Sequence, residues 1–305
     1  MISWMDSISM LLRGERMKVY LNGKIVPEKK AVVSVFDHGL LYGDGVFEGI
    51  RTYDGVVSLL EEHIDRLYRS AKAIAMEIPM TKAGLAKAVV RTCKANNNMN
   101  GYIRLVVTRG VGELGLNPYL CKKPQVIIIA ASIQLYPKKL YQSGLEIVTV
   151  PTIRNNSESV NPSIKSLNYL NNILGKIEAI NAGVPEALML NGQGYIAEAT
   201  GDNVFAVVGN RLITPPAYEC TLVGITRNSV MKLAAAQGYE VIESRMTRYD
   251  LYNADEVFLT GTAAEVIGVV KIDRRTIGVG KPGPATTDLA KRFREYAGSK
   301  GVAIR

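Results

Sequence analysis

A two-domain protein of mixed architecture, α/β (α+β) in class, is what this sequence predicts, on three observations. Its 305 residues are enough for two domains at about 150 residues each. Short runs of β-branched residues alternate with stretches of helical spacing along most of the chain. One segment, 132–144 (SIQLYPKKLYQSG), breaks the alternation with Pro137, two lysines and Gly144. Turn-forming and charged residues of that kind read as an interdomain linker. The expected division is an extension over 1–16, a smaller α/β domain over 17–131, the linker over 132–144 and a larger domain over 145–305.

The elements follow in order. Residues 1–16 (MISWMDSISMLLRGER) carry Asp6 inside their apolar part and the arginines after it. That is the reverse of a secretory signal, so no export is expected, and the globular fold is expected to start at Met17. Val19 and Leu21 alternate with Tyr20 and Asn22, and Asn22-Gly23 is a hairpin signal. Glu61–Met76 places Ile64, Leu67, Ala71, Ile74 and Ala75 on one helical face. A second helix over Thr81–Asn96 does the same with Leu85, Val89 and Cys93, with Thr81 as its cap. Tyr102–Thr108 and Val126–Ala131 read as strands.

Past the linker, Glu146–Val150 reads as a strand and Leu167–Ala182 as a helix closed by Gly183. Strands are expected at Ala187–Leu190, Val204–Val208 and Arg211–Ile213, then a helix over Ile225–Gln237 closed by Gly238. Strands at Glu240–Ser244 and Glu256–Thr260 and a basic helix over Ala285–Ala297 complete the chain.

Composition excludes several classes. With 47% hydrophobic and 21% charged residues, the chain is neither disordered nor collagen-like. Its longest apolar run, Val126–Ala131, is far short of the ~20 residues that span a bilayer. The net charge of +9 is scattered, with small clusters at 271–281 and 291–305. No aromatic-basic stripe accompanies it, so neither a nucleic acid nor a membrane is expected as a partner. A positive field does favour anionic substrates and cofactors. Three widely spaced cysteines argue against a disulfide framework and for a reducing, cytoplasmic location. Two histidines without ligand-type spacing give no metal site.

Some motifs fail on context. Gly278-Val279-Gly280-Lys281-Pro282-Gly283 matches a dinucleotide fingerprint in letters only. It opens no βαβ unit, Pro282 disturbs the helix start, and no acid follows at the required distance; a surface turn is expected.

Others carry chemistry. Thr221-Leu222-Val223-Gly224-Ile225-Thr226 leads into a helix whose free N–H groups favour an anion, though plain capping explains the segment equally well. Thr260-Gly261-Thr262-Ala263-Ala264-Glu265 offers small residues at a strand end, where a ligand can approach the backbone. Tyr195-Ile196-Ala197-Glu198-Ala199-Thr200-Gly201-Asp202-Asn203 sets Glu198 between a short strand and a turn. Asn161-Pro162-Ser163-Ile164-Lys165-Ser166-Leu167-Asn168-Tyr169 sets Lys165 just before a helix, where a lysine by itself is usually a surface residue.

Together with Tyr42-Gly43-Asp44-Gly45-Val46-Phe47-Glu48-Gly49-Ile50-Arg51 and His63-Ile64-Asp65-Arg66-Leu67, these segments resemble the fold-type IV (class IV) pyridoxal-phosphate aminotransferases, and most closely the branched-chain amino acid aminotransferases. The resemblance runs from Met17 to about Ala297, with five separated motifs in order. It implies a smaller N-terminal α/β domain and a larger C-terminal pseudo-barrel that anchors pyridoxal 5'-phosphate.

It implies roles as well. Lys165 matches the Schiff-base lysine, which also moves the proton at the substrate Cα; that task needs an amine pKa well below the ordinary ~10.4. Glu198 matches the carboxylate facing the pyridine nitrogen, and Tyr169, four residues past Lys165 and one helical turn on, matches the tyrosine that hydrogen-bonds the cofactor phenolate. Arg66, Ile225, Thr226 and Thr262 match the phosphate site, with Gly201, Gly224 and Gly261 leaving room for backbone contacts. Thr262 and Ala263 correspond to the site of the substrate α-carboxylate. Phe47, Tyr42, Tyr102 and the linker around Tyr136 correspond to the side-chain pocket, although such aromatics serve ordinary core packing as often. Arg104 corresponds to the partner of glutamate's distal carboxylate.

The activity so implied is ping-pong exchange of an amino group between leucine, isoleucine or valine and 2-oxoglutarate, by a homodimer or higher oligomer. A D-amino acid or (R)-amine transaminase, or an aminodeoxychorismate lyase, is the alternative within the superfamily. A basic nucleic-acid-binding protein is the alternative outside it.

Overall fold

The structure, a computed structural model, describes residues 17–133 and 135–305. The expected extension 1–16 lies outside the described residues. The chain divides into two compact units. Unit 1 takes residues up to 133, 165–167 and 297–305; unit 2 takes the rest.

Unit 1 is built on a seven-stranded sheet. Its strands are β1 (Lys18–Leu21), β2 (Lys24–Pro27), β3 (Gly45–Tyr53), β4 (Val56–Ser58), β5 (Gly101–Thr108), β6 (Gln125–Ala131) and β16 (Gly301–Ala303), in the order β16-β4-β3-β5-β6-β1-β2. Neighbouring strands in it are antiparallel. The β1–β2 hairpin turns on Asn22 and Gly23, both at positive φ, as its dipeptide requires. A short helix α1 (His38–Tyr42) precedes β3. Helices α2 (Leu60–Ala73) and α3 (Lys82–Ala95) bury Ile64, Leu67, Leu85 and Val89 in the core. Thr81 caps α3, accepting from Gly84 N at 3.1 Å.

Two tracts that the sequence groups with the second domain pack in unit 1. Ser166 bridges to Val46 of β3, and β16 pairs with β4. Backbone pairing, which has no side-chain signature at this length, draws them there.

Unit 2 holds a nine-stranded sheet. It comprises β7 (Leu145–Thr149), β8 (Glu186–Leu190), β9 (Ile196–Ala199), β10 (Asn203–Val208), β11 (Arg211–Thr214), β12 (Glu240–Glu243), β13 (Glu256–Gly261), β14 (Glu265–Ile272) and β15 (Arg275–Thr276). The order is β12-β11-β10-β13-β14-β7-β8-β9, with β15 on β14. In a flat sheet five strand spacings would separate β10 from β9, about 24 Å. Residues 200–202 alone join these two strands, a reach of about 14 Å at most. The sheet therefore curls into a half-barrel around Leu145, Ile147, Val204, Leu259 and Ile267. Helices α4 (Lys138–Ser143), α5 (Leu170–Asn181), α6 (Ile225–Ala236), α7 (Arg248–Tyr252) and α8 (Pro284–Ser299) complete the elements.

Two expectations need correction. The linker 132–144 is not irregular throughout: Lys138–Ser143 is helical, Leu140 and Tyr141 pack on the unit 2 core, and Tyr136 is buried in it. Apolar residues at helical spacing prevail there over the turn-rich composition. The helix expected from Leu167 begins at Leu170, because Leu167 N–H is spent on Gly45 O at 2.9 Å in an extended pairing. The glycine-rich tract 278–283 forms a turn with Gly278 and Gly280 at positive φ and Val279 exposed. Among the described residues no helix is long and apolar enough to cross a membrane.

Candidate active site

The functional residues fall into two groups, one in each unit. In unit 1 Lys165 is tied by its backbone. Its N–H donates to Ser70 Oγ at 3.1 Å, and its carbonyl accepts from Phe47 N at 3.0 Å. Its ammonium lies 4.8 Å from the centre of the Phe47 ring. The register of β3 and β5 pairs Phe47 with Val106, Gly49 with Arg104 and Arg51 with Tyr102, so these six share one face. Arg104 stacks over Phe47 at 4.6 Å and donates to Tyr102 Oη at 3.2 Å. A Cβ on Gly49 would fall 1.9 Å from that hydroxyl, so glycine there makes room for the phenol. The face is thus an aromatic surface with a cation laid on it.

Glu48 points to the opposite face, toward α2. It accepts from Arg66 Nε and Nη2, each at 2.8 Å, and from His63 Nδ1 at 2.8 Å. Burial alone would raise its pKa, but the charge and hydrogen bonds of Arg66, with those of His63, bring it down to about 2. His63 is held below its ordinary value, chiefly by burial and against the pull of Glu48. Its neutral ring donates through Nδ1–H. Arg66 is therefore a buried guanidinium with a fixed orientation. Tyr42 stands apart from the Phe47–Arg104 group: its hydroxyl donates to Leu114 O, and its ring meets His38 edge-on at 5.0 Å.

In unit 2 Glu198 is buried on β9. Its Oε1 accepts from Arg154 Nε at 2.9 Å, while its Oε2 accepts from Asn203 Nδ2 at 3.1 Å and Leu222 N at 3.0 Å. Arg154 supplies the counter-charge. The same Asn203 donates to Leu222 O at 2.8 Å, which fixes the loop entering α6. That helix starts without a side-chain cap at Gly224; Ile225 and Thr226, both buried, form its first turn. A Cβ on Gly224 would lie 2.0 Å from Asn203 Oδ1, and one on Gly261 would lie 1.9 Å from Asp202 Oδ1. Gly201 is exposed and Gly261, Thr262 and Ala263 are half-buried. The hydroxyls of Thr221 and Thr260 are buried with no hydrogen-bond partner among the described residues. Tyr169 is half-buried and occupies the N-cap of α5. The backbone from Lys165 to Tyr169 is not helical, so their four-residue spacing is not a helical turn.

The region as a whole matches the family "Amino-transferase class IV" over residues 45–272. This chain belongs to the class IV aminotransferase family. A Methanocaldococcus jannaschii protein, provisionally assigned as a branched-chain-amino-acid aminotransferase, is 52% identical over 288 residues, 94% of this chain and 99% of its own. A D-alanine aminotransferase of Bacillus licheniformis is 37% identical over 273 residues, 90% of this chain and 94% of its own. Among solved structures, an Escherichia coli branched-chain amino acid aminotransferase is 33% identical with a TM-score of 0.91, covering 95% of this chain and 100% of that one. A thermophile's branched-chain amino acid aminotransferase ("T.th."), solved with pyridoxamine 5'-phosphate, is 38% identical with a TM-score of 0.89, covering 93% and 95%. That enzyme is also known with N-(5'-phosphopyridoxyl)-L-glutamate and with 4-methylvaleric acid. These likenesses bear out the expected fold class of this aminotransferase.

Sequence reasoning passed over Glu48, Ser70, Arg154 and Asn203 as functional. Glu48 sits inside a motif already singled out. The others act through residues distant in sequence, and no local pattern marks them.

Proposed function

We propose that this class IV aminotransferase transfers the amino group of leucine, isoleucine or valine to 2-oxoglutarate, using pyridoxal 5'-phosphate in a ping-pong exchange. One observation carries the cofactor reading. A buried carboxylate with its counter-charge and an uncapped helix start are joined through Leu222, in a loop that also buries an unpartnered hydroxyl, Thr221. Such a set fits a ring nitrogen at one end of the group and a phosphate at the other.

When bound, the cofactor supplies an aldehyde that takes up amines and a ring that draws electrons from the substrate Cα. Lys165 Nζ holds that aldehyde at rest and moves the proton at the substrate Cα during exchange. Its backbone ties to Ser70 and Phe47 keep the side chain aimed. Glu198 keeps the pyridine nitrogen protonated, and Arg154 holds the carboxylate in place. Ile225, Thr226, Thr262 and Arg66 bind the phosphate, with Glu48 orienting the arginine, and Tyr169 binds the ring hydroxyl. Gly201, Gly224 and Gly261 let the backbone approach. Thr262 and Ala263 receive the substrate α-carboxylate.

The Phe47–Arg104–Tyr102 face supports dual substrate use. Its rings accommodate a branched aliphatic chain, and its guanidinium accepts glutamate's distal carboxylate. Tyr42 serves the side-chain pocket, in its own or a neighbouring subunit. The minimal unit is a homodimer. Leu170, Ile173, Leu174, Ile177 and Ile180 form an apolar stripe along one side of α5, each 45–66% exposed, as an interface helix would. Three unpaired cysteines support a cytoplasmic location.

The test is Lys165→Ala. The purified variant is expected to stay folded, to lose the visible absorbance that added pyridoxal phosphate gives the parent protein, and to lose transamination; full turnover would refute the assignment. A panel of L-leucine, L-isoleucine, L-valine, D-alanine and (R)-1-phenylethylamine with 2-oxoglutarate or pyruvate separates this reading from the D-amino acid and (R)-amine alternatives. Preference for the last two amines would overturn the branched-chain assignment.

A further inference from the structure

Unit 2 buries two carboxylates on either side of one phenol. Tyr136 Oη lies 3.0 Å from Glu186 Oε2 and 3.2 Å from Asp202 Oδ2. A phenol has a single proton and can donate it to only one of them. The surroundings decide which. Glu186 also accepts from Ala187 N at 2.9 Å, Thr200 N at 3.1 Å, the Thr200 hydroxyl and Lys176 Nζ at 2.9 Å. Asp202 is equally buried, yet among the described residues its carboxyl has no hydrogen-bond partner except Tyr136. A negative charge on Asp202 would be desolvated, next to a second carboxylate, and without a donor of its own. The arrangement that satisfies both contacts runs Asp202 Oδ2–H to Tyr136 Oη, and Tyr136 Oη–H to Glu186 Oε2.

The other oxygen of Asp202 has a position of consequence. Oδ1 occupies the space that a side chain at Gly261 would need, against the strand end formed by Gly261, Thr262 and Ala263. We propose that Asp202 is a neutral carboxylic acid in the working enzyme and a positioning residue for specificity, keeping negative charge away from the strand end that receives the substrate carboxylate. The inference rests on the reading of Gly261–Ala263 given above.

The charged and titratable groups facing Asp202 are Glu186 from β8, Tyr136 from the segment before α4, Lys176 from α5 and Glu198 from β9. Burial first and Glu186 second raise the Asp202 pKa; Tyr136 and Lys176 oppose them, Glu198 adds a little, and the outcome is about 7. Asp202 is therefore neutral in mildly acidic solution and ionises as the pH rises.

The holoenzyme tests this with two ligands that do not titrate in the range. 4-Methylvalerate carries a carboxylate and 4-methylvaleramide does not. Their inhibition constants against leucine are measured from about pH 6 to about pH 9 in the parent protein and in Asp202→Asn, an uncharged isostere. The acid is expected to bind about tenfold more weakly at the upper end in the parent, the effect of one nearby like charge. It should change little in Asp202→Asn, and the amide little in both. Infrared difference spectra between the two proteins should show a protonated-carboxyl band at low pH that fades at high pH. A missing band overturns the neutral acid whatever the ligands do. A titrating band with flat acid binding in the parent overturns the specificity role. Acid and amide binding alike at low pH would instead remove the carboxylate reading of Gly261–Ala263, and the specificity role with it, while the band still decides the protonation state. Should Asp202→Asn fail to fold, the parent protein's own pH dependence decides.

Discussion

Glu48→Gln tests how unit 1 holds Arg66, and its cost can be worked out in advance. Glu48 is fully buried, and its carboxylate accepts two hydrogen bonds from Arg66 and one from His63. Its pKa falls from 4.5 to about 2, because Arg66 and then His63 outweigh the desolvation that would raise it. A difference of about 2.5 units at 1.36 kcal/mol each is about 3 kcal/mol of stability. The sign follows from the depressed value. The contribution is fully present above about pH 4.5 and is lost as the pH falls through about 2. The variant lacks it at every pH and leaves a buried guanidinium without its counter-charge, a change that costs about 3–5 kcal/mol. The two figures describe one interaction from opposite ends and are not added. Urea unfolding followed by circular dichroism at pH 7, 4.5, 3 and 2 reads the effect. The variant should be less stable by about 3 kcal/mol at pH 7, with the gap closing toward pH 2. Equal midpoints at pH 7, or a gap that stays constant down to pH 2, would refute the ion-pair account.

Two further outcomes are expected. Glu198→Gln should lower the turnover number by orders of magnitude in a folded protein, since a neutral amide cannot keep the pyridine nitrogen protonated; steady-state kinetics with leucine and 2-oxoglutarate check this, and an unchanged rate contradicts the role. Glu256→Ala should cost about 1–2 kcal/mol, because Glu256 on β13 caps α8 by accepting from Ala285 N at 3.0 Å, Thr286 N at 2.8 Å and Thr286 Oγ1 at 2.6 Å; denaturant unfolding measures it, and no loss would show the cap to be idle.

The sequence made legible whatever depends on near neighbours. The Asn22-Gly23 turn, the Thr81 cap and the apolar faces of α2 and α3 rest on residues a few positions apart, and each is present. Strand β3 was harder to see, since Gly45, Glu48, Gly49 and Arg51 break its apolar alternation. Two of these serve the site directly: Glu48 orients Arg66, and Gly49 clears space for Tyr102. The start of α5 was misread for a similar reason, because residues 165–167 pair with β3 across more than a hundred positions of chain. Lys165 and Glu198 were recognisable through motifs. The groups that hold Glu198, namely Arg154 and Leu222 N, were not, since nothing local distinguishes an arginine that will meet a carboxylate 44 residues on.

Three buried carboxylates show how donors, rather than residue type, assign charge in this protein. Glu48 has a bidentate guanidinium and an imidazole N–H. Glu198 has a guanidinium, an amide and a backbone N–H. Both can remain ionised out of water because each lone pair that loses a water gains a donor. Asp202 has a share in one phenol, and Glu186 is far better supplied with donors on the other side of it. The same chemical group therefore serves as a fixed anion at two places and as a neutral acid at the third. The arrangement also has a functional logic. The anions stand where a cation must be held, Arg66 at Glu48 and a protonated ring nitrogen at Glu198. The neutral acid stands beside Gly261, where an anionic substrate must not be repelled. Reversing any one of these assignments would place like charges together in a low-dielectric interior, where they repel far more strongly than in water.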